Sequence, residues 1–120
     1  MEITEAVGFI HLWGFTPACN ILSEVEVSNS SLNILISGAG DIRHLLRTLS
    51  DLATHDINPT LHFYIQETSK ENIARDMLLL YLINEIQLPV RERMELFLDI
   101  YGNALMRDRT AEYIDRKSVV

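Results

Sequence analysis

The chain has 120 residues, a formal net charge of −7 and a hydrophobic fraction of 48%, which is typical of one globular domain and too short for two. The acidic balance argues against a nucleic-acid surface or an anionic membrane surface, because both are bound by clustered Lys and Arg side chains. No apolar run is long enough to span a membrane. The first residues lack the basic region with which a secretory signal begins, so no such signal is expected. The single Cys19 cannot form an internal disulfide, so we expect a cytoplasmic protein.

The N-terminal third contains one apolar stretch and one alternating stretch. Residues 1–5 are expected to fray, and residues 7–15 are apolar and aromatic. Trp13 and Phe15 in this stretch are interpreted as core side chains. Residues 21–27 alternate apolar and polar side chains, which favours a strand, and residues 28–31 have the composition of a loop.

A strand, a glycine turn and a helix follow, and the rest of the chain is organised around them. Residues 32–37 predict a buried strand, and Gly38 and Gly40 allow a tight turn. Asp41 can accept a hydrogen bond from an amide at the start of a helix that runs to about residue 53. The apolar face of this helix is predicted to contain Ile42, Leu45, Leu46 and Leu49. Residues 61–66 predict a second strand, parallel to the first and joined to it by a right-handed crossover.

The C-terminal half reads as helices. Residues 68–86 predict a helix with a capping box formed by Thr68 and Glu71. Pro89 suits the first turn of the next helix, and Asp108 or Thr110 can cap a last helix that reaches about Lys117. The apolar stripe of the middle helix comprises Val90, Met94, Phe97, Leu98, Tyr101 and Leu105. The acidic residues of that helix are interpreted as a solvated face: Glu92, Glu95 and Asp99.

The elements are out of balance, because two strands cannot cover the apolar surface that the helices offer. Residues 77–83 are apolar on all sides, so both faces of that helix need a cover. Either the N-terminal stretch adds strands, or covering surface is missing from the chain. We therefore predict a partial α/β domain of parallel strands flanked by helices, occupying residues 1–120 as one incomplete domain. We also expect marginal stability and an exposed apolar patch near residues 77–83 or beside residues 32–37.

One turn carries a cofactor-like signal. Glycines after a first strand let a ligand approach the backbone, and an acidic residue after the second strand often holds a ribose. The candidate binding residues are therefore Gly38, Gly40, Asp41 and Glu67. Arg43 stands where the third glycine of the dinucleotide motif belongs, and Asp41 adds negative charge, so a turn without a ligand is favoured. The four histidines show no metal-ligand spacing, and we predict no catalytic residues, no metal and no cofactor.

Several stretches, in unbroken order from about Trp13 to Lys117, resemble the N-terminal region of the dynein axonemal assembly factor 3 family. They are WGFTPA at 13–18, LISGAGDIRHLLRTL at 35–49, FYIQE at 63–67, ARDML at 74–78 and ERMELFLDIYGNAL at 92–105. The resemblance implies a divergent Rossmann-type domain similar to methyltransferases. It also implies a cytoplasmic assembly factor for the dynein arms of motile cilia. The partners that it implies are axonemal dynein subunits, chaperones and co-assembly factors, and it supplies no catalytic residues.

Besides an inert fragment whose apolar helices lack the rest of their domain, two hypotheses follow from these observations. The first is a non-catalytic assembly factor that acts by protein–protein interaction. The alternative is a Rossmann-like domain that binds S-adenosylmethionine or a nucleotide, or a methyltransferase-like enzyme, using the turn from Gly38 to Asp41 together with Glu67.

Overall fold

The structure, a computed structural model, describes residues 14, 16–102 and 106–118. Within these residues the fold is α/β, with two strands and four helices, as the sequence predicts. The elements in chain order are β1 (Ser31–Ser37), α1 (Arg43–Leu52), β2 (Thr60–Gln66), α2 (Lys70–Ile83), α3 (Val90–Gly102) and α4 (Asp108–Ser118). The predictions for Trp13, Phe15, Leu105 and residues 1–5 lie outside the described residues.

Strands β1 and β2 pair in parallel along their whole length. Ser31 lies opposite Thr60 at one end of the register and Ser37 opposite Gln66 at the other. Helix α1 connects the two strands, as a parallel pair requires, so the predicted βαβ order is confirmed. Ile34 and Ile36 are buried on the inward face of the sheet, whereas the outward side chains alternate with them and are exposed.

The predicted strand at residues 21–27 is wrong. This stretch forms turns, in which the Ser23 amide donates to the Asn20 carbonyl and the Val25 amide to the Leu22 carbonyl. The alternation does not produce a strand with one covered face, since Leu22 alone in this stretch is buried.

The buried face of α1 is rotated from the predicted one. Ile42, Leu45, Thr48 and Leu52 are buried, whereas Leu49 is 41% exposed. Thr48 is tolerated in the core because its hydroxyl donates to the His44 carbonyl and accepts from the Ile21 amide. A polar residue with two backbone partners therefore takes the place that the periodicity assigned to leucine.

The chain divides into two compact units, Met1–Ile73 and Ala74–Val120, and α2 contains the boundary. The prediction of one domain over residues 1–120 stays a prediction. Helix α2 starts at Lys70, later than expected, and its cap is Ser69, not Thr68. The Ser69 hydroxyl oxygen accepts from the Asn72 amide, and the hydroxyl donates to Glu71.

Leu79 and Leu82 of α2, Leu96 and Ile100 of α3 and Tyr113 of α4 form the buried apolar set of the second unit. The guanidinium groups of this unit also cap helix ends. Arg93 donates to the Ile83 carbonyl at 2.9 Å, which satisfies a backbone acceptor at the end of α2.

The acidic residues of α3 bind side chains of α4 and of the segment before it. This corrects the prediction that these acidic residues form a solvated face. Asp99 accepts from the Arg107 guanidinium at 2.8 Å and from the Thr110 hydroxyl at 2.7 Å. Glu92 pairs with Arg109 at 2.8 Å. Asp108 is the first and Thr110 the third residue of α4, so both lie within the helix and neither precedes it as the predicted cap.

Glu85 is the centre of a second polar cluster in this unit. Its carboxylate accepts from the buried Tyr113 hydroxyl at 2.5 Å and from the Lys117 ammonium at 3.2 Å. The hydrogen bond from Tyr113 and the charge of Lys117 hold the pKa of Glu85 below its ordinary value. Burial, together with Glu85, raises the pKa of the Tyr113 hydroxyl.

We expect the Glu85→Gln variant to be less stable than the wild-type protein near neutral pH, with a difference that shrinks in acid. A carboxyl group with a depressed pKa stabilises the folded state above its unfolded pKa, here about 4.5, and this stabilisation is lost as the pH falls through the folded pKa. Thermal melting between pH 7 and about pH 3 measures the difference. Glu112→Gln, an exposed change on α4, is the control, and a Glu85→Gln difference that stays constant with pH would contradict the assignment.

Candidate functional site

The turn between β1 and α1 requires glycine at two positions. Gly38 has φ +66° and Gly40 has φ +78°, a left-handed conformation that side chains with a Cβ rarely adopt. The Gly38 amide donates to the Gln66 carbonyl at 2.8 Å, so the turn is fastened to the end of β2. The predicted strand, glycine turn and helix are therefore present, and the turn lies where parallel strands present their carboxyl ends.

Asp41 holds this turn together from inside. Its carboxylate accepts from the Arg43 amide at 2.8 Å and from the Gly14 amide at 3.1 Å, and it pairs with the Arg43 guanidinium at 2.6 Å. The Asp41 side chain is fully buried, and that of Arg43 is 14% exposed. The predicted acceptor role of Asp41 is confirmed, although the helix begins at Arg43, two residues later than expected.

Arg43 has a role that sequence reasoning missed. Its guanidinium donates to the Thr16 hydroxyl at 2.6 Å and to the Thr16 carbonyl at 3.0 Å. A Cβ added to Gly14 would lie 2.7 Å from the guanidinium, so Gly14 leaves the room that Arg43 occupies. In the sequence, Arg43 stands only where the dinucleotide-binding motif has its third glycine. No local pattern could show that it reaches a segment 27 residues earlier in the chain.

Glu67 meets the glycine turn directly. Its carboxylate accepts from the Gly40 amide at 3.0 Å, so the structure brings together all four candidate residues named from the sequence. The Gly40 amide is the kind of donor that would bind a phosphate in a nucleotide-binding turn. Here a carboxylate of the chain already binds it, and Asp41 adds a second carboxylate. A nucleotide phosphate would have to displace the Glu67 carboxylate, whose negative charge repels it.

We expect no measurable binding of S-adenosylmethionine or ATP to the purified chain by isothermal titration calorimetry. The reason is the Glu67 contact with Gly40 together with the buried Asp41 carboxylate. Micromolar affinity that is lost in Gly38→Val would contradict this prediction. Gly38 suits the control because no neighbouring atom would contact an added Cβ, so the substitution acts through the strained left-handed backbone.

Cys19 and His44 form a second polar contact near the start of α1. The Cys19 amide donates to His44 Nδ1 at 3.0 Å, and the Cys19 Sγ lies 3.3 Å from the same nitrogen. His44 is therefore hydrogen-bonded. Across the described ranges, no three His, Cys, Asp or Glu side chains are grouped to hold a metal ion.

A separate groove of about 470 Å³ lies away from the glycine turn. Its lining is mostly aliphatic and includes Leu22, Val25, Val27, Leu52 and Ile57, with His55 and Asp56 at the same site. Both of these polar side chains, His55 and Asp56, are exposed.

Among the described residues, three exposed apolar surfaces are more prominent than this groove. Leu35 and Tyr64, which pair across the sheet, are 67% and 58% exposed. Met77 and Tyr81 of α2 are 66% and 54% exposed, so the helix predicted to be covered on both faces is covered on one. The third surface, on α3, consists of Val90, Met94 and Leu98. An exposed apolar patch is thus present at both predicted places, while marginal stability stays a prediction.

The α3 surface deviates from the usual arrangement of an amphipathic helix. The stripe that the sequence predicts on α3 points outward at Val90, Met94 and Leu98, whereas Leu96 and Ile100 are buried. The helix is apolar on two faces. Periodicity alone does not decide which of two apolar faces is covered.

Comparison with known proteins places these features in a family. Residues 12–106 match the family model described as a domain of unknown function, DUF4470. Dynein axonemal assembly factor 3 of Danio rerio is 37% identical over 118 residues, which is 93% of this chain and 24% of the relative. The Xenopus laevis protein of the same name is 40% identical over 114 residues, 85% of this chain and 23% of the relative. The chain belongs to the dynein axonemal assembly factor 3 family.

The relationship extends to distant organisms. The Chlamydomonas reinhardtii homologue of this family is 29% identical over 124 residues, which is 90% of this chain and 18% of the homologue. The chain spans about a quarter of the length of its vertebrate relatives. No solved structure matches the chain. In the part of the chain that the structure describes, helices are too short or too polar to cross a membrane.

Proposed function

We propose that the chain acts in the cytoplasm as a non-catalytic assembly factor for axonemal dynein arms, through protein–protein interaction. The names of its relatives support the role in dynein assembly. The observation that supports an interaction mechanism is the outward stripe of α3, where Val90, Met94 and Leu98 are 62%, 59% and 65% exposed.

The geometry of this stripe suits the binding of a partner helix or groove. Its three side chains recur every four residues, so they form one line along the helix. They lie opposite the buried Leu96 and Ile100, which fix the helix by its other face. Isolated exposed apolar residues are ordinary, but three in line on one helix form a contiguous patch of the kind that marks interaction sites.

Chemistry at the centre of the stripe supports an adaptable contact. Met94 has an unbranched, polarisable side chain that fits irregular partner surfaces. Beside the stripe, Phe97 and Tyr101 stack with ring centroids 5.8 Å apart, which adds aromatic surface.

The proposed partners are axonemal dynein subunits, with chaperones and other assembly factors acting on the same complexes. Nucleic acid and membrane are not proposed, because the net charge is −7.

Affinity capture from the cytoplasm of multiciliated cells tests this proposal. The bait is the tagged chain, and the readout is the amount of axonemal dynein heavy chain retained. We expect Leu98→Lys to reduce retention at least about tenfold, since a lysine would place a charge in the centre of an apolar contact. Met77→Lys on α2 is the matched control, because Met77 and Leu98 are 66% and 65% exposed. Equal retention by wild-type protein and Leu98→Lys would contradict the proposed surface.

A further inference from the structure

The outward face of the β1–β2 sheet is a second surface, on the Met1–Ile73 unit. Leu35 lies opposite Tyr64 at its centre, and Asn33 lies opposite His62 beside them. All outward side chains are exposed. The outward face comprises Ser31, Asn33, Leu35, Ser37, Thr60, His62, Tyr64 and Gln66.

This face is uncharged, although 22% of the residues in the chain are charged. The chain has 10 Lys and Arg and 17 Asp and Glu residues, yet none of them is among the eight outward positions. A sheet face that stays in contact with water usually carries charged as well as polar residues. A parallel sheet, in contrast, is usually covered by helices on both faces. The crossover helix of a parallel pair covers one face. The other face, with the exposed apolar pair Leu35 and Tyr64 at its centre and no charged residue, is the one that a second helix would cover.

The dimensions of the face fit one helix. A strand of seven residues is about 23 Å long at about 3.3 Å per residue, which matches a helix of about 15 residues. Two strands present a width of about 10 Å, close to the diameter of a helix with its side chains. A face of this size is far below the roughly 800 Å² per partner of a standard stable interface, which disfavours a second copy of the chain.

We propose that the outward face docks an amphipathic helix from the portion of the dynein axonemal assembly factor 3 polypeptide that this chain does not match. That portion is large, because the chain covers 24% of the Danio rerio relative. The helix carries an uncharged apolar stripe against Leu35 and Tyr64 and a hydroxyl or amide side chain that bonds Asn33 or His62. This face and the α3 stripe belong to different compact units and share no residue, so the proposal does not depend on the proposed dynein contact.

Overlapping peptides of about 20 residues that span the unmatched part of the Danio rerio relative test the proposal, since each is long enough for one docking helix. The purified 120-residue chain is the probe, and the retained peptide is then titrated by fluorescence anisotropy. We expect the peptide to have an apolar helical stripe and to bind Leu35→Lys at least about tenfold more weakly than wild type. Leu98→Lys is the matched control, because Leu98 is 65% and Leu35 67% exposed, and its affinity should stay within about twofold.

Circular dichroism of both variants checks that each is folded. The proposal is overturned if no peptide is retained, or if the two variants lose affinity equally. It is also overturned if sedimentation shows a dimer of the chain that Leu35→Lys dissociates, since the occupant would then be a second copy. The dynein capture by Leu98→Lys reports on the α3 stripe alone, so failure of either proposal is recognised without the other.

Discussion

Replacing Ile36 by aspartate is expected to abolish the cooperative unfolding transition of the Met1–Ile73 unit. Ile36 is 8% exposed on β1 and lies opposite Ile65 of β2, so the carboxylate would be buried without a partner. Such a charge costs on the order of 5 kcal/mol or more, comparable with the whole stability of a small domain. Denaturant unfolding followed by circular dichroism measures the loss.

The neighbouring residue supplies the matched control. Leu35→Asp introduces the same side chain into the same strand, but at a position that is 67% exposed. We expect it to cost less than about 1 kcal/mol, mainly through the poor strand propensity of aspartate. If both variants unfolded at the wild-type denaturant concentration, the assignment of the inward face would be wrong.

The second large effect is expected at Asp41. Asp41→Ala removes the acceptor of the Arg43 and Gly14 amides and leaves the Arg43 guanidinium, 14% exposed, without its carboxylate. Loss of one partner of a buried pair typically costs about 3–5 kcal/mol, because the other charge stays buried. The expected result is a loss of this size in the free energy of unfolding, measured by urea denaturation.

An exposed ion pair on the same helix shows what burial contributes. Arg47 and Asp51 pair at 3.2 Å across one turn of α1, with side chains 56% and 33% exposed. Asp51→Ala is expected to cost at most about 1 kcal/mol, because water screens the pair. Equal losses in Asp41→Ala and Asp51→Ala would mean that Asp41 does not hold the turn.

Local sequence patterns predicted β1, α1 and β2 correctly because each pattern lies within a few neighbouring residues. A β-branched run, two glycines, an aspartate and an amphipathic stretch specify a strand, a turn and a helix, and a second run fixes the parallel pairing. The candidate site was predictable for the same reason. Gly40 and Glu67 follow successive parallel strands, whose carboxyl ends meet at one edge of a sheet, and the two residues are bonded there.

What the sequence could not predict depends on distant partners. Arg43 binds Thr16, and Glu92 and Asp99 bind side chains of α4, through contacts 11 to 27 residues apart in the chain. Which of the two apolar faces of α3 is covered is likewise a tertiary property, so Val90 and Leu98 point outward although their spacing suits a core. The false strand at residues 21–27 arose from an alternation that no neighbouring strand supports.

Dynein-arm content tests the central claim most directly. Danio rerio embryos that lack dynein axonemal assembly factor 3 would be made to express a chimera. The chimera is the Danio rerio protein in which this chain replaces the stretch that it matches over 118 residues. Axonemal dynein heavy chain in motile cilia is then measured by immunofluorescence. We expect that this chimera restores the dynein arms and that the same chimera with Ile36→Asp does not. Cilia without arms, despite normal amounts of the chimera and full rescue by the intact relative, would contradict the account.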